Sequence, residues 1–167
     1  MSKNDGLIEE WRDKGDKEME FLNSFLVSID KTKGFNFQIL KDTHTQVFNE
    51  IDCLQCGNCC KTTPPIFTRK DVKRIAKYLN TTPKAFERAY TIEDVDGQLV
   101  GIRVPCTFLN EDNTCSIYEV RPLACRTYPH TDDPAFAERP ELNFNNTIVC
   151  PAAYHIVNRL QALINNH

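Results

Sequence analysis

The run Cys53-Leu-Gln-Cys56-Gly-Asn-Cys59-Cys60, answered downstream by Cys106, Cys115, Cys125 and Cys150, holds all eight cysteines of the chain. Four thiols within eight residues gather soft donors without closing a long loop, and thiolate is the donor that zinc and iron–sulfur clusters prefer. The sequence therefore reads first as that of a metal-site protein. Cys-x2-Cys lets two sulfurs converge on one metal across a tight turn, and Gly57 permits the positive backbone angle such a turn often needs. Adjacent cysteines are harder to aim at one ion, because their side chains tend to diverge. Cys59 and Cys60 are thus expected to serve different centres, unless one of them is no ligand.

Two assignments compete. Cys53-x2-Cys56-x2-Cys59 matches the first three ligands of a bacterial ferredoxin run, and Cys150-Pro151 offers a remote fourth thiolate followed by proline. That gives one [4Fe–4S] cluster, and Cys60, Cys106, Cys115 and Cys125 then hold a second centre or reinforce the fold. Alternatively, pairs such as Cys53/Cys56 and Cys59/Cys60 divide among zinc sites completed by the distal thiols, since zinc asks only for tetrahedral sulfur. The choice leans to iron–sulfur, with zinc as the alternative. Function is then electron transfer or cluster-assisted chemistry with a protein or small-molecule partner, against a zinc-stabilised interaction module without redox activity.

These thiols must be positioned by ordinary elements. Leu7, Ile8, Trp11, Met19, Leu22, Phe25, Leu26 and Ile29 recur at helical spacing, as one long helix or as two broken at Gly15, ending at Lys33-Gly34. The stretch from Phe35 to Ile51 has no assignable state. Pro64-Pro65 makes a rigid turn, and Thr68 caps a helix over Arg69–Leu79 whose Val72, Ile75, Ala76 and Leu79 share a face. Thr82-Pro83 opens another, with Phe86, Ala89 and Tyr90 inward. After a turn at Asp96-Gly97, residues 98–104 read as a strand, and two short segments, Thr107-Phe-Leu and Ser116-Ile-Tyr, flank a turn at residues 110–113. The proline-rich stretch from Pro122 to Pro140 should be largely irregular. From Pro151 a last helix runs to Ile164, with Ile156, Leu160, Leu163 and Ile164 as its buried edge.

The fold class expected is α+β, mainly helical: a small irregular single domain organised around a cysteine-ligated metal centre. Its parts are an N-terminal helical segment (1–50), the cysteine-cluster region (51–153) and a C-terminal helix (154–167). With 167 residues, 41% of them hydrophobic and 26% charged, the chain can bury a core of its own. The N-terminus opens on a charged, amphipathic stretch without the uninterrupted apolar run of a signal peptide or membrane span, so the expected location is cytoplasmic. In that compartment eight cysteines are metal ligands or redox groups rather than disulfides.

Up to Lys84 there are 14 Lys and Arg against 12 Asp and Glu, but from Ala85 onward there are 6 Arg, no Lys and 11 acids. Such an acidic cysteine-bearing half argues against binding a phosphate backbone. The basic cluster Arg69, Lys70, Lys73, Arg74 and Lys77 reads as a solvated helix face. His44 and His155 read as packed, hydrogen-bonded histidines, and His130 is not needed as a ligand beside eight thiols. No phosphate loop, nucleophile elbow or dinucleotide fingerprint is present.

Cys-x2-Cys-Gly-x-Cys-Cys, then Cys106-Thr-Phe-Leu, Cys115-Ser-Ile-Tyr-Glu-x-Arg-Pro, Cys125-Arg-x-Tyr-Pro and a late Cys-Pro resemble the YkgJ-like CxxCxxCC cysteine-cluster family over roughly Ile51 to Ala153. The resemblance implies zinc or iron chelation by all eight cysteine positions. The same pattern in flagellin lysine N-methylases adds weight to iron–sulfur chemistry by analogy, although this chain is short beside them and carries nothing else that points to methyl transfer. Within these blocks Arg121 and Arg126 stand near Cys115 and Cys125 as cofactor-binding candidates, able to donate to thiolates or inorganic sulfur. A carboxylate such as that of Glu119, pairing with these arginines while Tyr118 and Tyr128 pack, is the competing expectation.

Overall fold

The computed structural model describes residues 3–29 and 35–165. The chain runs through α1 (Lys3–Arg12), α2 (Asp16–Ile29), α3 (Phe37–Phe48), α4 (Cys53–Cys56) and α5 (Asn58–Thr62). Then come β1 (Ile66–Phe67), α6 (Arg69–Tyr78), α7 (Pro83–Tyr90), β2 (Thr91–Glu93), β3 (Leu99–Gly101), α8 (Leu123–Thr127), α9 (Pro140–Val149) and α10 (Pro151–Asn165). The fold is mostly helical, with one three-stranded antiparallel sheet ordered β1-β3-β2. It divides into two compact units, Met1–Asp52 with Pro129–His167, and Cys53–Tyr128.

In the first unit α10 packs against α1, α2, α3 and α9. Pro151 to Val157 are buried without exception, so no exposed stripe survives in the first turns of α10. Its expected edge holds at Ile156 and Leu160, but Leu163 is 44% exposed. The single-face pattern fails because the helix is enclosed on several sides early and only partly covered late. The break at Gly15 is real, with α1 ending at Arg12 and α2 starting at Asp16; the expected stop at Lys33-Gly34 lies outside the described residues. Ile8, Trp11, Leu22, Phe25, Leu26 and Ile29 are buried as their spacing predicts. Polar ties join the helices: Trp11 Nε1 donates to the Thr147 carbonyl at 2.9 Å, and the Tyr154 hydroxyl and Asn158 Nδ2 both donate to Glu18.

Two helices of this unit escaped the hydrophobic pattern for the same reason. On α3 the inner face includes Thr43, whose hydroxyl donates to the Ile39 carbonyl, beside Leu40 and Val47. On α9 the buried residues are Asn143, Asn146 and Thr147. Asn143 Nδ2 donates to the Phe136 carbonyl, Asn146 Nδ2 to that of Pro129 at 2.9 Å, and Thr147 Oγ1 to that of Phe144 at 2.7 Å. Polar residues on the inner face, their donors bonded to carbonyls, interrupt the apolar period.

The second unit is built on Phe67, Val72, Ile75, Ala76, Phe86, Phe108 and Ile117, with Leu99, Cys106, Cys115 and Val120 packed against them. Phe86 stacks on Phe108, centroids 6.2 Å apart. The strand expected over 98–104 is shorter, because after Gly101 only Ile102 still donates, to the Tyr90 carbonyl, and Pro105 has no donor to continue the ladder. Leu109 and Cys115 form an isolated antiparallel bridge around the expected turn, closed by Asn110 N–H on the Thr114 carbonyl at 2.8 Å. The proline-rich stretch holds the short α8 besides irregular chain.

Two devices fix the cysteine-bearing segments of this unit. At the α4–α5 junction Gly57 has φ +59°, and a Cβ there would lie 2.9 Å from Asn113 Cβ, while Asn113 Nδ2 donates to the Gln55 carbonyl at 2.9 Å. The turn before Cys115 is thereby seated on the Cys53–Cys59 segment, and only glycine allows both the angle and the approach. The second device is Asp71, 1% exposed. Thr68 and Asp71 form a capping box at the start of α6. The Asp71 carboxylate also accepts from Arg74 at 2.5 Å and from the Leu123 N–H at 3.1 Å, and Arg74 reaches on to the carbonyls of Val120 and Arg121. Burial works to raise the Asp71 carboxyl, but the donors of Thr68, Arg74 and Leu123 outweigh it and hold it below the usual carboxylate range.

Asp71→Asn is therefore expected to cost roughly 3 kcal/mol at neutral pH. The carboxyl titrates lower folded than unfolded, so its contribution is complete above about pH 4 and lost as pH falls through the folded value. Denaturant melts across this range should show wild type losing its advantage over the variant on acidification; parallel acid slopes would contradict the assignment. Gly57→Ala should cost roughly 2 kcal/mol from the left-handed angle and the clash together. Adding Asn113→Gly should recover part of it, which the same melts would measure.

Candidate metal centre

Cysteines from three separate segments meet in the second unit. Cys60 comes from α5, Cys106 and Cys115 from the two limbs of the 106–115 hairpin, and Cys125 from α8, whose first N–H is the one Asp71 holds. The Cys106 N–H donates to the Cys60 carbonyl at 2.7 Å, which ties the hairpin to α5. These four sulfurs lie in one another's electrostatic reach. Cys125 feels Cys60, Cys106 and Cys115; Cys106 feels Cys60 and Cys115; Cys115 feels Cys60.

Their titration follows from that crowding. Loss of water raises the Cys106 and Cys115 thiols, and the neighbouring cysteines add to the rise. Against it act backbone N–H groups aimed at sulfur, those of Phe108 and Leu109 at Cys106 and that of Ile117 at Cys115. The Cys125 residue reaches the surface, yet its thiol is crowded by protein, and burial with the charges of the other three pushes it up to about 12. Cys60 is raised most by its sulfur contact with Cys59 and then by burial.

The Cys59 and Cys60 sulfurs are 4.0 Å apart. The expected divergence of neighbouring cysteines does not occur, because the two side chains turn toward each other at the start of α5. For comparison, two thiolates on one tetrahedral zinc at 2.3 Å stand about 3.8 Å apart. The remaining members of the ferredoxin-like set are distributed differently. Cys53 and Cys56 sit one turn apart on α4, while Cys150 belongs to the first unit, buried between α9 and α10. Its N–H donates to the Asn146 carbonyl, and its own carbonyl accepts from the Tyr154 N–H.

The donor set fits a thiophilic metal: four sulfurs whose negative forms repel one another, with backbone donors already directed at two of them. Among the described residues no three His, Cys, Asp or Glu side chains yet surround one point at metal-binding spacing. The quartet is a gathering of donors rather than a closed shell.

Arg121 and Arg126 part company. Arg121 acts to lower both Cys115 and Cys125, lies over the Tyr118 ring at 3.8 Å and donates to the Tyr118 carbonyl at 2.8 Å. Arg126 is exposed in the last turn of α8. Among the described residues neither arginine forms an ion pair with Glu119. His44 Nδ1 meets Thr131 Oγ1 at 2.9 Å and His155 Nε2 meets the Leu7 carbonyl at 2.8 Å, as ordinary packed histidines do. Sequence reading missed the N–H groups of Phe108, Leu109 and Ile117, since main-chain donors have no residue type; the Cys-x-Phe-Leu and Cys-x-Ile spacings are their only trace. It also missed the reach of Asp71 to α8, although the Thr68 cap was legible.

The chain is 35% identical over 82 residues to the uncharacterized protein MJ0661 of Methanocaldococcus jannaschii, a match that covers 47% of this chain and 44% of that protein. The chain thus matches less than half the length of this relative. No solved structure matches the chain. No described helix is long and apolar enough to cross a membrane. Residues 52–147, which include every cysteine of the gathered quartet, match the CxxCxxCC family model described as "Putative zinc- or iron-chelating domain", and the chain belongs to that family.

Proposed function

We propose that this protein carries a thiolate-bound iron–sulfur centre and acts in electron transfer or cluster-assisted chemistry, with Cys60, Cys106, Cys115 and Cys125 as its ligands. The observation that carries the reading is the convergence of these four thiols from α5, the hairpin and α8, with N–H groups of Phe108, Leu109 and Ile117 directed at two of them. A bound cluster supplies one-electron chemistry. The chain's part is to hold four mutually repelling sulfurs together, to donate hydrogen bonds to them, and to offset their charge with Arg121. Arg126, exposed at the end of α8, is the second candidate for the same task. Cys53, Cys56 and Cys59, in the same unit, are the remaining thiols from which a second centre would be drawn. The 4.0 Å spacing of the Cys59 and Cys60 sulfurs favours a second reading, a mononuclear zinc site in an interaction module without redox activity. A cytoplasmic location and an unnamed protein or small-molecule partner complete the proposal.

Protein purified without oxygen is expected to be brown, with iron and acid-labile sulfide in similar amounts. Single Ser replacements at Cys60, Cys106, Cys115 and Cys125 should each remove most of the metal, and the same series at Cys53, Cys56, Cys59 and Cys150 reports on a second centre. Colourless protein with stoichiometric zinc and no sulfide would assign the zinc reading. Full metal retention in all four quartet variants would sink the site itself.

A further inference from the structure

The quartet takes only Cys60 from the run Cys53–Cys60, and Cys53, Cys56 and Cys59 remain beside it in the same unit. Three thiolates are one short of the closed tetrahedral shell of a structural site. Their placement is graded instead. Cys53 is exposed at the start of α4, while Cys56, Cys59 and Cys60 are half-buried. Cys53 and Cys56 stand one turn apart on α4 and so share a face of it. Cys56 and Cys59 flank the left-handed Gly57, whose N–H closes α4 on the Cys53 carbonyl at 2.9 Å and whose carbonyl opens α5 by accepting from the Lys61 N–H at 3.1 Å. Cys59 Sγ lies 4.0 Å from Cys60 Sγ, and Cys60 in turn acts on Cys106, Cys115 and Cys125.

Each successive pair therefore shares one sulfur with the next, from the surface to the quartet. Cys56 and Cys59 form a Cys-x2-Cys pair across a tight turn, and the Cys59 and Cys60 sulfurs stand close to the spacing of about 3.8 Å that two thiolates keep on one tetrahedral ion. We propose that Cys53, Cys56 and Cys59 are transfer ligands, which take a zinc(II) or iron(II) ion from an external thiol and pass it by ligand exchange to Cys60 and the quartet. The inference rests on the quartet being the resident site. In every move one metal–sulfur bond forms as another breaks. The incoming cysteine releases its proton, the departing sulfur takes one up, and the metal keeps its oxidation state. An entry built of sulfur exchanges most directly with a metal that already arrives on thiolates. Lys61 stands beside the path, its Nζ donating to the Cys56 carbonyl at 3.3 Å and its charge acting on Cys60, where it offsets the excess of negative sulfur at the last exchange.

Release is delivery run backwards through the same steps, so the metal-loaded full chain tests this with zinc(II) as the only metal. Zinc passing from the protein to a small dithiol chelator is followed in time, with bound zinc measured after desalting. Cys59→Ser and Cys59→Ala should each hold as much zinc at rest as wild type but yield it to the dithiol at least tenfold more slowly. The double variant Cys53→Ser, Cys56→Ser should slow release by a smaller factor. Loading of the metal-free protein from the zinc–dithiol complex should slow by the same factors. A resident ligand has the opposite signature, since its removal depletes zinc or speeds its loss. Depleted zinc or faster release in the Cys59 variants, or wild-type rates in these or in the double variant, would overturn the transfer role while the quartet stands. Full retention of zinc by Cys60→Ser would instead remove the quartet reading, and this inference with it.

Discussion

Four cysteines within one another's electrostatic reach, their thiols raised first by loss of water and then by each other, are the constraint around which the second unit is arranged. Each sulfur that becomes negative does so with three others nearby and with little water to screen it. The scaffold must therefore hold them in place against their own preference to separate. It does so from outside the quartet. Cys106 and Cys115 lie on the wall of the aromatic core, Cys60 is tied to Cys106 through its main chain, and Cys125 rides on a helix whose first N–H is anchored to Asp71. None of these ties passes through sulfur. The quartet can then be assembled before a metal arrives, and the backbone donors at Phe108, Leu109 and Ile117 favour the charged form that a metal requires.

What the sequence made legible was what apolar spacing and local turn chemistry control. The helices at α2, α6, α7 and α10, the Thr68 and Thr82 caps, and the left-handed Gly57 are all local statements, decided by residues within one or two turns. The elements that escaped were those whose inner faces are polar. Asn143, Asn146 and Thr147 are buried with a side-chain donor of each on a carbonyl, and no hydrophobic period records that. The eight cysteines announced a metal site from their number and spacing, yet their grouping depends on contacts between residues more than forty positions apart. Cys60 meets Cys106 because a hairpin returns to α5, a fact of tertiary pairing that no cysteine spacing encodes.

Size limits what the apolar core of this unit can hold by itself. Its buried core is seven side chains, drawn from β1, α6, α7 and the chain between residues 108 and 117, and two of its strands are three residues long. Hydrophobic burial on this scale leaves little margin over the entropy of ordering the loops between Gly101 and Tyr128. Ligands drawn from α5, the hairpin and α8 would cross-link the parts that the apolar core holds least, so that metal affinity becomes folding free energy for those loops. The same shortage accounts for the sheet's outer face. Three short strands with one side packed on aromatic residues still present Ile66, Val100 and Ile92 on the other, where β-branched residues support the strand by pairing across it. A residue type that keeps a small sheet formed is therefore the residue type left exposed on its open face.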